Sequence, residues 1–171
     1  MPRFVAFLRG VSPTNAKMPA LKAAFEAAGF TRVRTVLASG NVVFDTAEVA
    51  EAVVERQAEA AMGRELGRTF FTIVRPVARL HEMLSDPPFE AHGIPPHAKR
   101  VVSFLRAEQA PRVPLPLAQD MASVFLCTGR EVFTAYVPTD NGPVFMNLIE
   151  RAFGTELTTR TWDTVARCAA A

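Results

Sequence analysis

Cysteine is nearly absent, with two residues in a chain of 171. Cys127 and Cys168 cannot build a disulfide framework, so the stapled scaffold of small secreted proteins is excluded and a reducing cytoplasm is the expected setting. Long apolar runs are missing as well. No stretch approaches the roughly 18 apolar residues that span a bilayer. The opening "MPRFVAFLRG" has neither the apolar length nor the small-residue cleavage site of a secretory signal, so no membrane partner is expected. A large excess of one charge is lacking too. Net charge +2 and a pI near 8.8 permit contact with anions but fall short of the basic stripe of a dedicated nucleic-acid binder. Arginine far outnumbers lysine, which reads as genomic base composition rather than function. Motifs of catalysis are equally scarce: there is no CxxC pair, no G-x-S-x-G elbow and no P-loop.

What remains is 49% apolar and 21% charged, the composition of a folded chain long enough for one large domain or two small ones sharing a core. "FVAFLR" (4–9) is β-rich and ends at Gly10. After the loop "GVSPTNAKMP", Leu21, Ala24, Phe25 and Ala28 recur at i, i+3, i+4, i+7, which predicts a helix stopped by Gly29. "VRTVLAS" and "NVVFDT" read as strands with Ser39-Gly40 as a two-residue hairpin turn. Asp45 and Glu48 have capping-box spacing ahead of a helix reaching Leu66, with Val54, Ala58, Met62 and Leu66 inward. Glu51 and Glu55 fall on its solvated face. "TFFTIVR" (69–75) follows as a strand. The order β-α-β-β-α-β predicts a ferredoxin-like unit, two helices on a four-stranded antiparallel sheet.

A helix is expected at 77–84, then the Pro-rich connection "SDPPFEAHGIPPHAK" crossing the surface. The chain then repeats itself. "RVVSFLRA" (100–107) echoes "RFVAFLRG" (3–10), and "FLCTGREVF" (125–133) echoes "VLASGNVVF" (36–44). Two matches in the same order indicate an internal duplication. The second copy should carry a short first helix around 115–121 and a second helix capped by Asn141 and Pro143, with Phe145, Leu148, Ile149 and Ala152 inward. Trp162, Val165, Ala166 and Ala169 keep helical phase, so this copy is expected to end in a helix instead of its fourth strand. The fold class is therefore α+β, with tandem ferredoxin-like halves. The expected parts are a first half at 1–75, a connection at 76–99 and a second half at 100–171. "FVAFL" and "VVSFL" are apolar on both faces, so these strands should be covered on both sides.

"FLRG" ahead of a helix with "AGF", then "VRTVLASGNVVF", "TFFTIVR" and a C-terminal Thr-Arg-x-Trp-x-Thr-Val together resemble the domain of unknown function 1697 family, along essentially the whole chain. The resemblance implies a cytosolic bacterial protein with an α+β fold of ferredoxin-like halves, and no established activity. Two departures stand out. The family's first loop usually runs Arg-Gly-Ile-Asn-Val-Gly-Gly and then basic residues, whereas here it is "RGVSPTNAKM" without paired glycines. Its ending is commonly Arg-Asn-Trp-Asn-Thr, here Arg160-Thr161-Trp162-Asp163-Thr164.

No catalytic constellation emerges, and whether the protein is an enzyme stays open. The best candidate site is the first loop. Arg9, Asn15 and Lys17 beside a helix N-terminus suit a small anionic ligand, phosphate or carboxylate; a loop of solvated charges is the competing reading. Ser39 and Asn41 offer a hydroxyl and an amide, although Gly and Asn equally serve turns. Arg160 is the residue of the C-terminal motif with a functional chance, Trp162 being expected in the core and Arg160, Asp163 and Arg167 having the spacing of helical ion pairs. His81, His92 and His97 match no zinc spacing, so neither a metal nor another cofactor is expected. Three functions follow: binding of a small anion, self-association through sheet faces, or RNA binding. The last ranks lowest, because the aromatic phrase of RNA recognition modules is missing.

Overall fold

The computed structural model describes all 171 residues and divides them into two compact units, residues 1–85 with 165–171, and residues 86–164. The first contains β1 (Arg3–Leu8), α1 (Met18–Ala27), β2 (Thr31–Thr35), β3 (Asn41–Asp45), α2 (Glu51–Leu66), β4 (Thr72–Pro76) and α3 (Val77–Ser85). Its sheet is antiparallel in the order β2-β3-β1-β4, so the two most apolar strands are central. Every residue of β3, and all of β1 after Arg3, is buried. The absence of polar alternation in "FVAFL" thus marks strands covered on both faces. Phe44 sits among Phe4, Phe25 and Phe30, with ring centroids 6.3, 5.5 and 4.3 Å away.

Helix α2 does more than cover this sheet. Glu55, 4% exposed, accepts the backbone N–H of Val74 at 2.9 Å, and Glu59 accepts that of Thr72 at 3.1 Å. Four helical residues rise about 6 Å and two strand residues about 6.7 Å, so carboxylates one turn apart meet alternate donors of edge strand β4. An exposed edge invites foreign strands, and leaving either N–H unpaired costs about 1–3 kcal/mol. The strand ends at Pro76, which has no N–H to offer. Glu51 instead lies 4.0 Å from the guanidinium of Arg75, itself completely buried. The solvated face expected for Glu51 and Glu55 is therefore corrected. Helical phase alone cannot reveal a carboxylate held by a neighbouring strand.

Two helix starts also differ from expectation. Asp45 belongs to β3, and Glu48 accepts the N–H groups of Val49 and Ala50 at 2.9 and 2.8 Å, so α2 opens at Glu51 without a capping box. In the second unit α4 (Phe145–Phe153) begins after Val144 rather than at Asn141, and no side chain caps it. Of its expected inward face Leu148, Ile149 and Ala152 are buried, and Phe145 is half-buried.

The second unit comprises β5 (Lys99–Leu105), β6 (Leu117–Gln119), β7 (Ala122–Thr128), β8 (Glu131–Tyr136), α4 and β9 (Leu157–Thr161), with the first turn of α5 (Trp162–Ala170). The sheet order is β6-β7-β8-β5-β9, antiparallel throughout. Two expectations fail here. Residues 115–121 form strand β6 and a turn rather than a helix, because Pro114 and Pro116 remove the donors a helix needs. The fourth strand is present as β9, ahead of the terminal helix. Leu157-Thr-Thr-Arg-Thr is a β-branched run, and the helical phase that begins at Trp162 does not extend back through it. Arg160 accordingly lies on a strand, not on a helix face. The Pro-rich connection runs over the surface as expected, but it sends one large side chain inward. Phe89, just before a 3-10 turn at Glu90–His92, is fully buried against Trp162, Phe133 and Phe125, at 5.1, 6.0 and 5.7 Å. Trp162 is half-buried in this cluster. No helix of the chain is long and apolar enough to cross a membrane.

Candidate functional site

The first loop closes on itself. Asn15 accepts the N–H of Ser12 and donates to the carbonyl of Gly10, both at 2.8 Å, an Asx-type staple across the turn. Lys17 occupies the N-cap position of α1 and donates to the carbonyl of Pro13 at 3.3 Å. The backbone N–H of Arg9 bonds the carbonyl of Phe71 at 2.9 Å, tying the end of β1 to the approach of β4.

The β2–β3 loop lies against it. Val36 N–H bonds the carbonyl of Asn41 at 2.9 Å, leaving four residues, Leu37 to Gly40, at the tip instead of two. Asn41 is completely buried and donates to the Val36 carbonyl at 2.9 Å and to Ser39 Oγ at 3.1 Å. Gly40 carries φ +89°, and its Cα faces Val11 and Leu8 so closely that a Cβ there would lie 2.9 Å and 3.1 Å from theirs. The two loops picked out by sequence thus share one end of the first sheet. Arg9, Asn15, Lys17, Ser39 and Asn41 all belong to this unit. Arg160 belongs to the second, where it donates to the carbonyl of Thr159 at 2.8 Å.

On the same unit a cavity of about 360 Å³ is lined by Arg34, Thr35, Val36 and Leu37 together with Arg167 and the end of α5. Neither aspartate nor glutamate lines it. The two guanidiniums favour an anion, since each presents a planar fork of donors matched to carboxylate or phosphate oxygens. Leu37, 46% exposed and at φ +60°, puts an apolar side chain at the rim. Arg34 was legible only as an alternating residue of "TRVRT". Nothing in the sequence joins it to Arg167.

A tighter charge cluster sits at the start of β1. Asp45, 7% exposed, is bonded by Arg3 at 2.8 Å and Arg32 at 3.0 Å. Burial pushes its carboxyl up, but the Arg3 hydrogen bond and the Arg32 charge outweigh burial and hold it below its ordinary 3.8. A carboxylate with a depressed folded-state value adds stability that is complete above the unfolded value and is lost as pH falls through the folded one. The urea midpoint of the native chain should therefore drop below about pH 4 more steeply than that of Asp45→Asn, and the gap between them should close in acid. Parallel acid limbs would refute this role. In the second unit the Cys127 thiol is raised by burial and then by Glu131 and Glu108, which disfavours a reactive thiolate.

A family model described as a protein of unknown function, DUF1697, matches residues 1–133. Among solved structures, "conserved bacterial protein SP0830 from Streptococcus pneumoniae" is similar at 15% identity and a TM-score of 0.72, over 99% of this chain and 97% of that one. At that identity the likeness concerns the fold alone. No curated protein matches.

Proposed function

The chain belongs to DUF1697, a family of proteins of unknown function, and we propose that this member binds a small anionic ligand in its first unit. The observation that carries this reading is the Arg34–Arg167 cavity, cationic and without an acidic side chain in its lining. It adjoins the β2–β3 loop, whose other side packs through Gly40 on the first loop, so the anion lies near that loop but not inside it. The polar groups of Asn15 and Lys17 close the loop locally, which supports Arg34 and Arg167 as the ligand-holding pair. A cytoplasmic setting accords with two cysteines that remain thiols.

The same reading takes both units as ferredoxin-like, divided as 1–75, 76–99 and 100–171. The central place of β1 and β3 supports it for the first. The second has an added strand β6 and lacks a helix between β5 and β7. RNA binding has less support, because Phe4, Phe7 and Phe44 on the central strands are 2% exposed or less and cannot stack on bases. Self-association through an open sheet face also has less support, the exposed large apolar side chains being the scattered Met1, Leu37, Val49 and Met121.

The test is a calorimetric titration with phosphate, sulfate and citrate. At least one should bind saturably, and Arg34→Ala or Arg167→Ala should weaken it about tenfold, the size of one charge-assisted contact. Lys17→Ala should leave affinity unchanged. No saturable binding, or undiminished binding in the double arginine variant, overturns the proposal. A loss confined to Lys17→Ala relocates the site to the first loop and overturns the cavity.

A further inference from the structure

We infer that the second unit holds a separate site for a small amine with a flat apolar body, built around the turn between β6 and β7. The pairing of Gln119 with Ala122 leaves Asp120 and Met121 as a two-residue hairpin turn. Both have positive φ, +49° and +66°. Such a turn accepts Asp first but favours glycine second, and a side chain held in the left-handed region costs about 1–2 kcal/mol. Met121 is 64% exposed, so burial of its side chain does not offset that cost. Strain without a packing gain is an outlier that points to use.

Two cavities flank the turn. One of about 440 Å³ has Ile94, Pro95, Ala98 and Met121 in its wall; the other, of about 240 Å³, has Pro138, Thr139 and Pro143. They share Asp120, Ala122, Tyr136 and Val137. The larger alone is within the usual size range of small-molecule pockets. The Tyr136 ring is held flat on Phe145, with centroids 4.3 Å apart and planes 7° apart, which makes a rigid wall. Met121 adds an adaptable thioether at the mouth.

The chemistry of the linings sets the ligand's charge. Asp120 is the one Asp, Glu, Lys, Arg or His in either cavity, and it belongs to both. A bound cation therefore meets a carboxylate with no competing positive side chain in the lining. An ammonium group that donates to Asp120, with its ring in the larger cavity against Tyr136, satisfies the carboxylate.

The experiment is a ¹⁵N-detected titration with 2-phenylethylamine, using phenylacetate and 2-phenylethanol as anionic and neutral probes of the same ring. The amine should saturably shift amide signals of residues 118–123 and 136–144, and the other two should not. Asp120→Asn, at an exposed turn position, should weaken the amine about tenfold. Met121→Gly should raise the thermal midpoint of the free protein while weakening the amine. Equal binding of the alcohol, undiminished binding to Asp120→Asn, or no saturable shift with the amine overturns the inference. The arginine cavity is untouched by these variants, so the two proposals fail independently.

Discussion

Replacing Arg75 with alanine should lower the unfolding free energy by about 2–4 kcal/mol, from the space a fully buried side chain leaves and the hydrogen bond it loses. Few single changes in this chain should cost more. The guanidinium has no exposed surface, donates to the carbonyl of Val74 at 3.0 Å and lies 4.0 Å from Glu51. Alanine removes the donor and opens a cavity where a long side chain stood, and both effects destabilise. Domain stabilities are commonly about 5–15 kcal/mol in total, so the loss is a large share. Arg75→Met keeps most of the volume, and Glu51, with a side chain 20% exposed, can recover water. Methionine should therefore restore about half of the loss. Equilibrium urea unfolding of the three proteins decides it. A drop below about 1 kcal/mol for alanine would show that the guanidinium does not brace α2 against β4.

Gly40→Ala is the second large effect, expected at about 2–4 kcal/mol. Two independent costs add. Left-handed backbone disfavours any Cβ by about 1–2 kcal/mol, and the new Cβ would lie 2.9 Å from Val11 Cβ and 3.1 Å from Leu8 Cβ. Those atoms are fixed to the backbone and cannot swing aside as the end of a long side chain can. Gly129 is the internal control, because it is the echo of Gly40 in the duplicated phrase. It has φ +62° but no atom within 4 Å of a Cβ, so Gly129→Ala should cost only the conformational part, about 1 kcal/mol. Thermal unfolding of both variants separates the two costs. Equal losses would show that the contact between the two loops carries no energy of its own.

Much of the fold was legible because its signals are local. The helical phase of Leu21, Ala24 and Phe25, the two-sided apolar character of "FVAFL" and the repeated hairpin phrase each describe a stretch a few residues long. The errors arose where local rules competed. Helical periodicity starts at Trp162, and the Thr-rich run just before it forms β9. At 115–121 an apolar pattern favours a helix while Pro114 and Pro116 remove the donors it needs, and the prolines win. Of the candidate residues, Ser39 and Asn41 read in the sequence as a hydroxyl and an amide beside a turn. Their hydrogen bonds, however, run to each other and to Val36, which no spacing rule reveals.

By itself, the sequence determined the α+β class, the order of elements in the first half, the recurrence of its hairpin phrase and its family. All of these depend on periodicity and on residue types close along the chain. Only the tertiary structure decided that Glu55 and Glu59 accept the edge of β4, that Phe89 leaves a proline-rich stretch to enter a core, and that Arg34 and Arg167 line one cavity. The physical reason is the same in each case. Hydrogen bonding, burial and charge pairing depend on which distant residues strand register and helix docking bring within a few ångströms, and that distance is not written in any local window.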